Sequence, residues 1–181
     1  TSTTTSTTTT TSTTSTSTCP TATAWTQQFG SIGMDAPNGV ACDAAGNTFV
    51  TGYAQGTINS QPFNGVQDAF LAKLNVSGGL LWVTLLGATL DTSSNSVAVD
   101  AAGNPVIVGY VNGAFPGQTG VEAQDFFVAK YNGSSGALLW LRLLGGKVED
   151  MGNGVATDRA GDVFMTGYID DFRYVGGGWI E

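Results

Sequence analysis

The chain has 181 residues, 41% hydrophobic but only 11% charged, with no histidine and a net charge of −8. Its six basic side chains (Lys73, Lys130, Arg142, Lys147, Arg159 and Arg173) are scattered, so there is no footprint for nucleic acid or an anionic membrane. The lack of imidazole excludes the common catalytic triads and the usual zinc sites, and no apolar run reaches membrane-spanning length.

In chain order, the first segment is Thr1, Ser2, Thr3, Thr4, Thr5, Ser6, Thr7, Thr8, Thr9, Thr10, Thr11, Ser12, Thr13, Thr14, Ser15, Thr16, Ser17 and Thr18, with no other residue type among them. Such a run has nothing apolar to bury and cannot offset the entropy of folding by itself. Residues 1–24 therefore predict a stalk or linker, and Ser/Thr tracts of this kind are typical O-glycosylation targets. A naked flexible linker is the plainer alternative. An ice-binding threonine array is disfavoured, because it needs regularly spaced threonines on a rigid sheet. Nothing at the start has the form of a secretory leader, as expected of a mature or excised fragment. The low charge and the wealth of Thr, Ser, Gly and Asn suggest an extracellular or cell-surface location.

From residue 25 onward the sequence repeats. Trp25, Trp82 and Trp140 are 57 and 58 residues apart. "VACDAAGNTFVTGY" from Val40 returns as "VAVDAAGNPVIVGY" from Val97 and "VATDRAGDVFMTGY" from Val155. "DAFLAKLNVSGGLLW" from Asp68 returns as "DFFVAKYNGSSGALLW" from Asp125. Each copy predicts two hairpins: "GVACD" with "NTFVTGYA" across "AAG", and "DAFLAKLN" with "GLLWVTLLG" across "VSG". No useful helical periodicity occurs, so the fold class is all-β, with four short strands per unit of about 57 residues. Units of that size and make-up are β-propeller blades. The expected blades are 40–96, 97–154 and a partial third at 155–181, with 25–39 an orphan strand and link. Phe49, Tyr53, Phe70, Leu74, Trp82 and their counterparts are the candidate core between blades.

The succession D-x-x-G-N, G-Y, D-A-F-x-A-K and L-L-W resembles the SBBP β-propeller repeat family over residues 25–181, with a looser likeness to NHL repeats. The resemblance implies a propeller in a secreted or surface-displayed protein, with seven blades and no catalytic activity. Here too few repeats are present to close a ring. Tyr53 precedes Asp68 by 15 residues and Tyr110 precedes Asp125 by 15, but Tyr168 lies only 13 residues from the end. Either the polypeptide is longer or neighbouring chains complete the sheet. The first is favoured, because open strand edges invite association.

Candidate sites are few. Asp43, Asp100 and Asp158 recur at the first loop position; each stands alone in its blade, which suits a turn better than calcium with its six to eight oxygens. Asp68 and Asp125 recur at strand starts, and the Glu149–Asp150 doublet is expected in solvent. No metal or cofactor is expected. "NVS" at Asn75 and "NGS" at Asn132 are N-glycosylation sequons in equivalent hairpins. Cys42 replaces the Val99 and Thr157 of the other copies, and Cys19 closes the Ser/Thr run. In an oxidising compartment a Cys19–Cys42 bridge would clamp stalk to blade, an intermolecular bond being the alternative.

Three functions remain open. One is a structural, non-catalytic glycoprotein of a surface fibre, coat or flagellar-hair-like appendage, its partners being covalent glycans and further copies of the same assembly. Another is a glycan- or protein-binding module using aromatics such as Tyr174 or Trp179. The third is an accessory domain of a secreted enzyme.

Overall fold

A computed structural model describes residues 24–116 and 123–169; the Ser/Thr run, Cys19, Tyr174 and Trp179 lie outside the described residues. No helix occurs among those described. Among the described residues, ten strands form three antiparallel sheets. The first sheet is β1 (Asp35–Cys42), β2 (Thr48–Ala54), β3 (Asp68–Leu74) and β4 (Leu80–Leu86), hydrogen-bonded in sequence order. The second repeats it with β5 (Thr92–Val99), β6 (Pro105–Asn112), β7 (Gln124–Tyr131) and β8 (Leu138–Leu144). The third is a pair, β9 (Asp150–Thr157) with β10 (Val163–Ile169). These are propeller blades, and they do not close into a ring.

Burial follows strand position. Every residue of β3 is buried, because it has strands on both edges and packed layers on both faces, whereas the outer β4 and β8 are half exposed. The sheets stack face to face, with an apolar layer between the first two built from Phe49, Leu71, Ile107, Phe127 and Tyr131. Phe70, Ala72 and Val83 cover the other face of the first sheet; Val106, Phe126 and Val128 meet Val155, Val163 and Met165 of the third. Of the candidate core, Phe49, Phe70 and Leu74 are buried, while Tyr53 and Trp82 are half-buried at the edge of the layers.

Two expectations are corrected. Strands open at Asp35, Thr92 and Asp150, five residues ahead of Val40, Val97 and Val155. The ladder runs on through bulges, between Pro37 and Gly39 in β1 and between Ser94 and Ser96 in β5. Small polar residues and a proline disguise that extension in the sequence. The orphan strand is also absent: residues 24–31 carry no strand assignment. A strand needs a ladder partner, and this stretch instead lays side chains on a sheet face. Phe29 meets Phe70 edge-on at 6.0 Å, and Trp25 lies against Gly78.

Candidate functional site: the repeated seam between blades

The seam begins in the tight turn between the first two strands of each blade. Asp43 Oδ1 accepts from the amides of Ala45 (3.0 Å) and Asn47 (2.8 Å), and Oδ2 from Asn47 Nδ2 (2.8 Å). Asp100 repeats this with Ala102 and Asn104, and Asp158 with Ala160, Gly161 and Asp162. An aspartate is needed because its acceptor-only carboxylate matches two or three converging amides. Gly46, Gly103 and Gly161 take φ of 82°, 81° and 93°, the left-handed conformation that glycine adopts without strain. The three aspartates stay apart, one per blade, as a turn role requires.

Two lysines extend this network. Lys73 Nζ lies 3.4 Å from Asp43 Oδ2 and Lys130 Nζ 2.8 Å from Asp100 Oδ2, all four side chains being largely buried. Burial works against the Asp43 and Asp100 carboxylates, but bonds from Asn47 and Lys73, and from Lys130, Asn104 and Ala102, outweigh it and hold both pKa values below 3.8. Lys73 also crosses the seam, donating to the carbonyl of Gly133 in the second sheet at 2.8 Å while its Nζ stands 4.9 Å from the Phe49 ring centre. Trp82 Nε1 donates to the same carbonyl at 3.3 Å, and its ring lies over Gly136. Trp25 over Gly78 is the same contact one blade earlier.

A second set of cross-blade bonds was not foreseen from sequence. Asn38 Nδ2 donates to the Ser94 carbonyl at 2.9 Å, and Asn95 Nδ2 to the Gly152 carbonyl at 2.9 Å. Both asparagines are the bulged residues of their strands, left out of the ladder and so free to reach the next blade. The available signal was the phased recurrence of "NGV", "NSV" and "NGV" ahead of each loop aspartate. Asn153 holds the corresponding place in β9 and is exposed.

The recurring strand-start carboxylates are buried. Asp68 accepts from the amides of Asn64 (2.9 Å) and Gly65 (3.0 Å), yet burial pushes its pKa up. Asp125 is pushed up by burial and then by Asp150, and its Oδ1 is buried with no hydrogen-bond partner. Asp150, expected in solvent, is fully buried; only Glu149 of the doublet is exposed. The reason is position: Asp150 opens β9 and folds back to take the Gly146 amide at 2.8 Å, as Asp35 takes the amide of Ser31.

Asn75 and Asn132 stand where expected, in the β3–β4 and β7–β8 turns. Asn75 Oδ1 accepts from the Ser77 and Gly79 amides and Asn132 Oδ1 from those of Ser134 and Ser135. These bonds use the oxygen and not Nδ2, the atom a glycan would take. No cysteine among the described residues is free; Cys42 ends β1, while Cys19, its expected partner, is outside them. Among the described residues no three of His, Cys, Asp and Glu come together as a metal cluster. The recurring polar groups hold turns and join blades.

Comparison with known proteins agrees with this geometry. Residues 24–59 match the SBBP beta-propeller repeat family. The matched stretch holds Trp25, the Asp43 turn and strands β1 and β2, and the same contacts recur in the second blade. The chain is also similar to an uncharacterized WD repeat-containing protein of Acanthamoeba polyphaga mimivirus, 21% identical over 187 aligned positions. That alignment covers 81% of this chain but only 13% of the relative. Both similarities are to propeller-type repeat proteins, and neither is to an enzyme family.

Proposed function

We propose that this SBBP-repeat chain is part of a structural, non-catalytic extracellular glycoprotein, its blades carried on an O-glycosylated Thr1–Thr18 spacer in a surface fibre, coat or flagellar-hair-like appendage. One observation carries the reading: the polar residues that recur from blade to blade are consumed in turns and seams, as a scaffold requires. The two sequons sit in equivalent exposed turns, so glycans at Asn75 and Asn132 would project without disturbing the buried strands. A Cys19–Cys42 bridge would tie the spacer to the end of β1. Partners in this reading are covalent glycans and further chains of the same assembly. Glycopeptide mass spectrometry of native material tests it. Glycans on the Thr/Ser run and on at least one sequon are expected; an unmodified run overturns the proposal.

A binding module is the second reading, favoured by the repeat type and by the exposed Asn153 on β9. Glycan-array binding that Asn153→Ala removes without loss of stability would select it.

A further inference from the structure

The two described seams share a frame at the strand starts but differ in charge. At the first, Asp68 is satisfied by two backbone amides, and the residue opening β5 is the neutral Thr92, whose hydroxyl accepts from the Ala88 amide at 3.2 Å. At the second, the residue opening β9 is Asp150, so two buried carboxylates face one another where the first seam has one. Asp125 is 8% exposed, its buried Oδ1 accepts no hydrogen bond, and no basic side chain among the described residues pairs with it. A methyl group on Gly145 would overlap both Asp125 Oδ1 and Asp150 Oδ2, so the two oxygens converge on the small space beside that α-carbon.

An ionised oxygen buried without a donor is costly, and a second carboxylate beside it raises the cost. Something positive is called for where the two oxygens meet beside Gly145. We propose that the seam between the second sheet and the β9–β10 pair binds one calcium ion between the carboxylates of Asp125 and Asp150. Calcium suits a partly filled oxygen site better than magnesium, which demands near-ideal octahedral geometry and gives up water reluctantly. Two carboxylates supply at most four of its six to eight oxygens, so water and main-chain carbonyls complete the shell. The affinity therefore belongs to the weak, roughly 10⁻⁴–10⁻³ M class of extracellular modules. The ion would lock β9 to β7, and so the third sheet to the second. Thr92 makes the first seam independent of calcium.

The test is calorimetric titration and thermal melting of the full 181-residue chain after chelation, with magnesium at equal ionic strength as the control. Calcium at ten times its dissociation constant is expected to raise Tm by about 3–6 °C. Asp125→Asn should abolish the response, and Asp68→Asn should keep it. Should Asp125→Asn fail to fold, Asp150→Thr carries the test, because it installs the residue already present at the first seam. No response up to about 10 mM calcium, ten times the weak limit of such sites, overturns the proposal. So does a response that survives Asp150→Thr or is matched by magnesium. Stability that rises with acid and ignores calcium would show a proton shared between the carboxylates instead, and overturns it equally.

Discussion

At the scale of single residues, the turn between the first two strands shows how one side chain sets local structure and pH response together. Asp100 and Asp43 have pKa values lowered on folding, so each adds stability above about pH 4 that is lost as pH falls through the depressed value. Asp68 and Asp125 are raised, and the sign reverses: their contribution is present below the unfolded value and lost as pH rises through the folded one. Asp100→Asn should cost about 1–3 kcal/mol at pH 7, since the amides and Lys130 lose a charged acceptor. Urea titrations at several pH values should show its stability changing less below pH 4 than that of the parent chain. The glycines separate backbone strain from packing. Gly103 and Gly136 have φ of 81° and 72°, but a methyl at Gly103 meets nothing within 4 Å, whereas at Gly136 it meets the Trp82 ring at 3.0 Å. Gly103→Ala should cost about 1–2 kcal/mol, the left-handed penalty alone. Gly136→Ala should cost more by an amount that largely disappears in a Trp82→Leu background, measured as a double-mutant cycle.

At the scale of elements, the strands differ by what lies on each side of them. β7 is hydrogen-bonded on both edges and nearly all buried, while among the described residues β10 bonds only to β9 and leaves Phe164, Tyr168 and Ile169 between 41% and 47% exposed. Amide hydrogen exchange should therefore be slowest at Val106–Val108 and Phe126–Ala129 and fastest among the strands at Val163–Ile169. Uniform protection of all ten strands would contradict this ranking. Asn95→Ala removes the one side-chain bond from β5 to the Gly152 carbonyl and should cost about 0.5–1.5 kcal/mol, with faster exchange in β9 than in β1.

At the scale of the whole molecule, stacked sheets make stability a sum of blades and seams, so the order of loss under denaturant follows the seams. The proposed spacer adds a property no blade supplies. Glycosylated threonines in succession cannot fold back on one another, so eighteen residues would extend about 55 Å at the polyproline rise of ~3.1 Å per residue. Removal of O-glycans should shorten that span toward about 25 Å, the reach of a flexible coil, while the blades keep their melting temperature. Small-angle scattering before and after the treatment measures it. An unchanged radius of gyration would count against a stiff spacer.

Much of the molecule is legible in its residues alone. Three phased copies of V-A-x-D and G-Y, with two of A-K, determined four-stranded units, their hairpins and the loop aspartates, because these features depend on contacts within some twenty residues. The spacing of Trp25, Trp82 and Trp140 marked the repeat, but not that each of the first two rings would land on a glycine of the following blade. That needs two sheets placed face to face. The bulged Asn38 and Asn95 were hidden for a similar reason: an asparagine among serines and glycines reads as a loop until a neighbouring carbonyl gives it a partner. Asp150 shows the limit most clearly. Beside Glu149 it reads as a solvated pair, and only the chain's return beneath the second sheet buries it against Asp125. Local patterning therefore determined which elements form, and tertiary structure alone decided which polar atoms lost their water, because desolvation depends on neighbours distant in sequence.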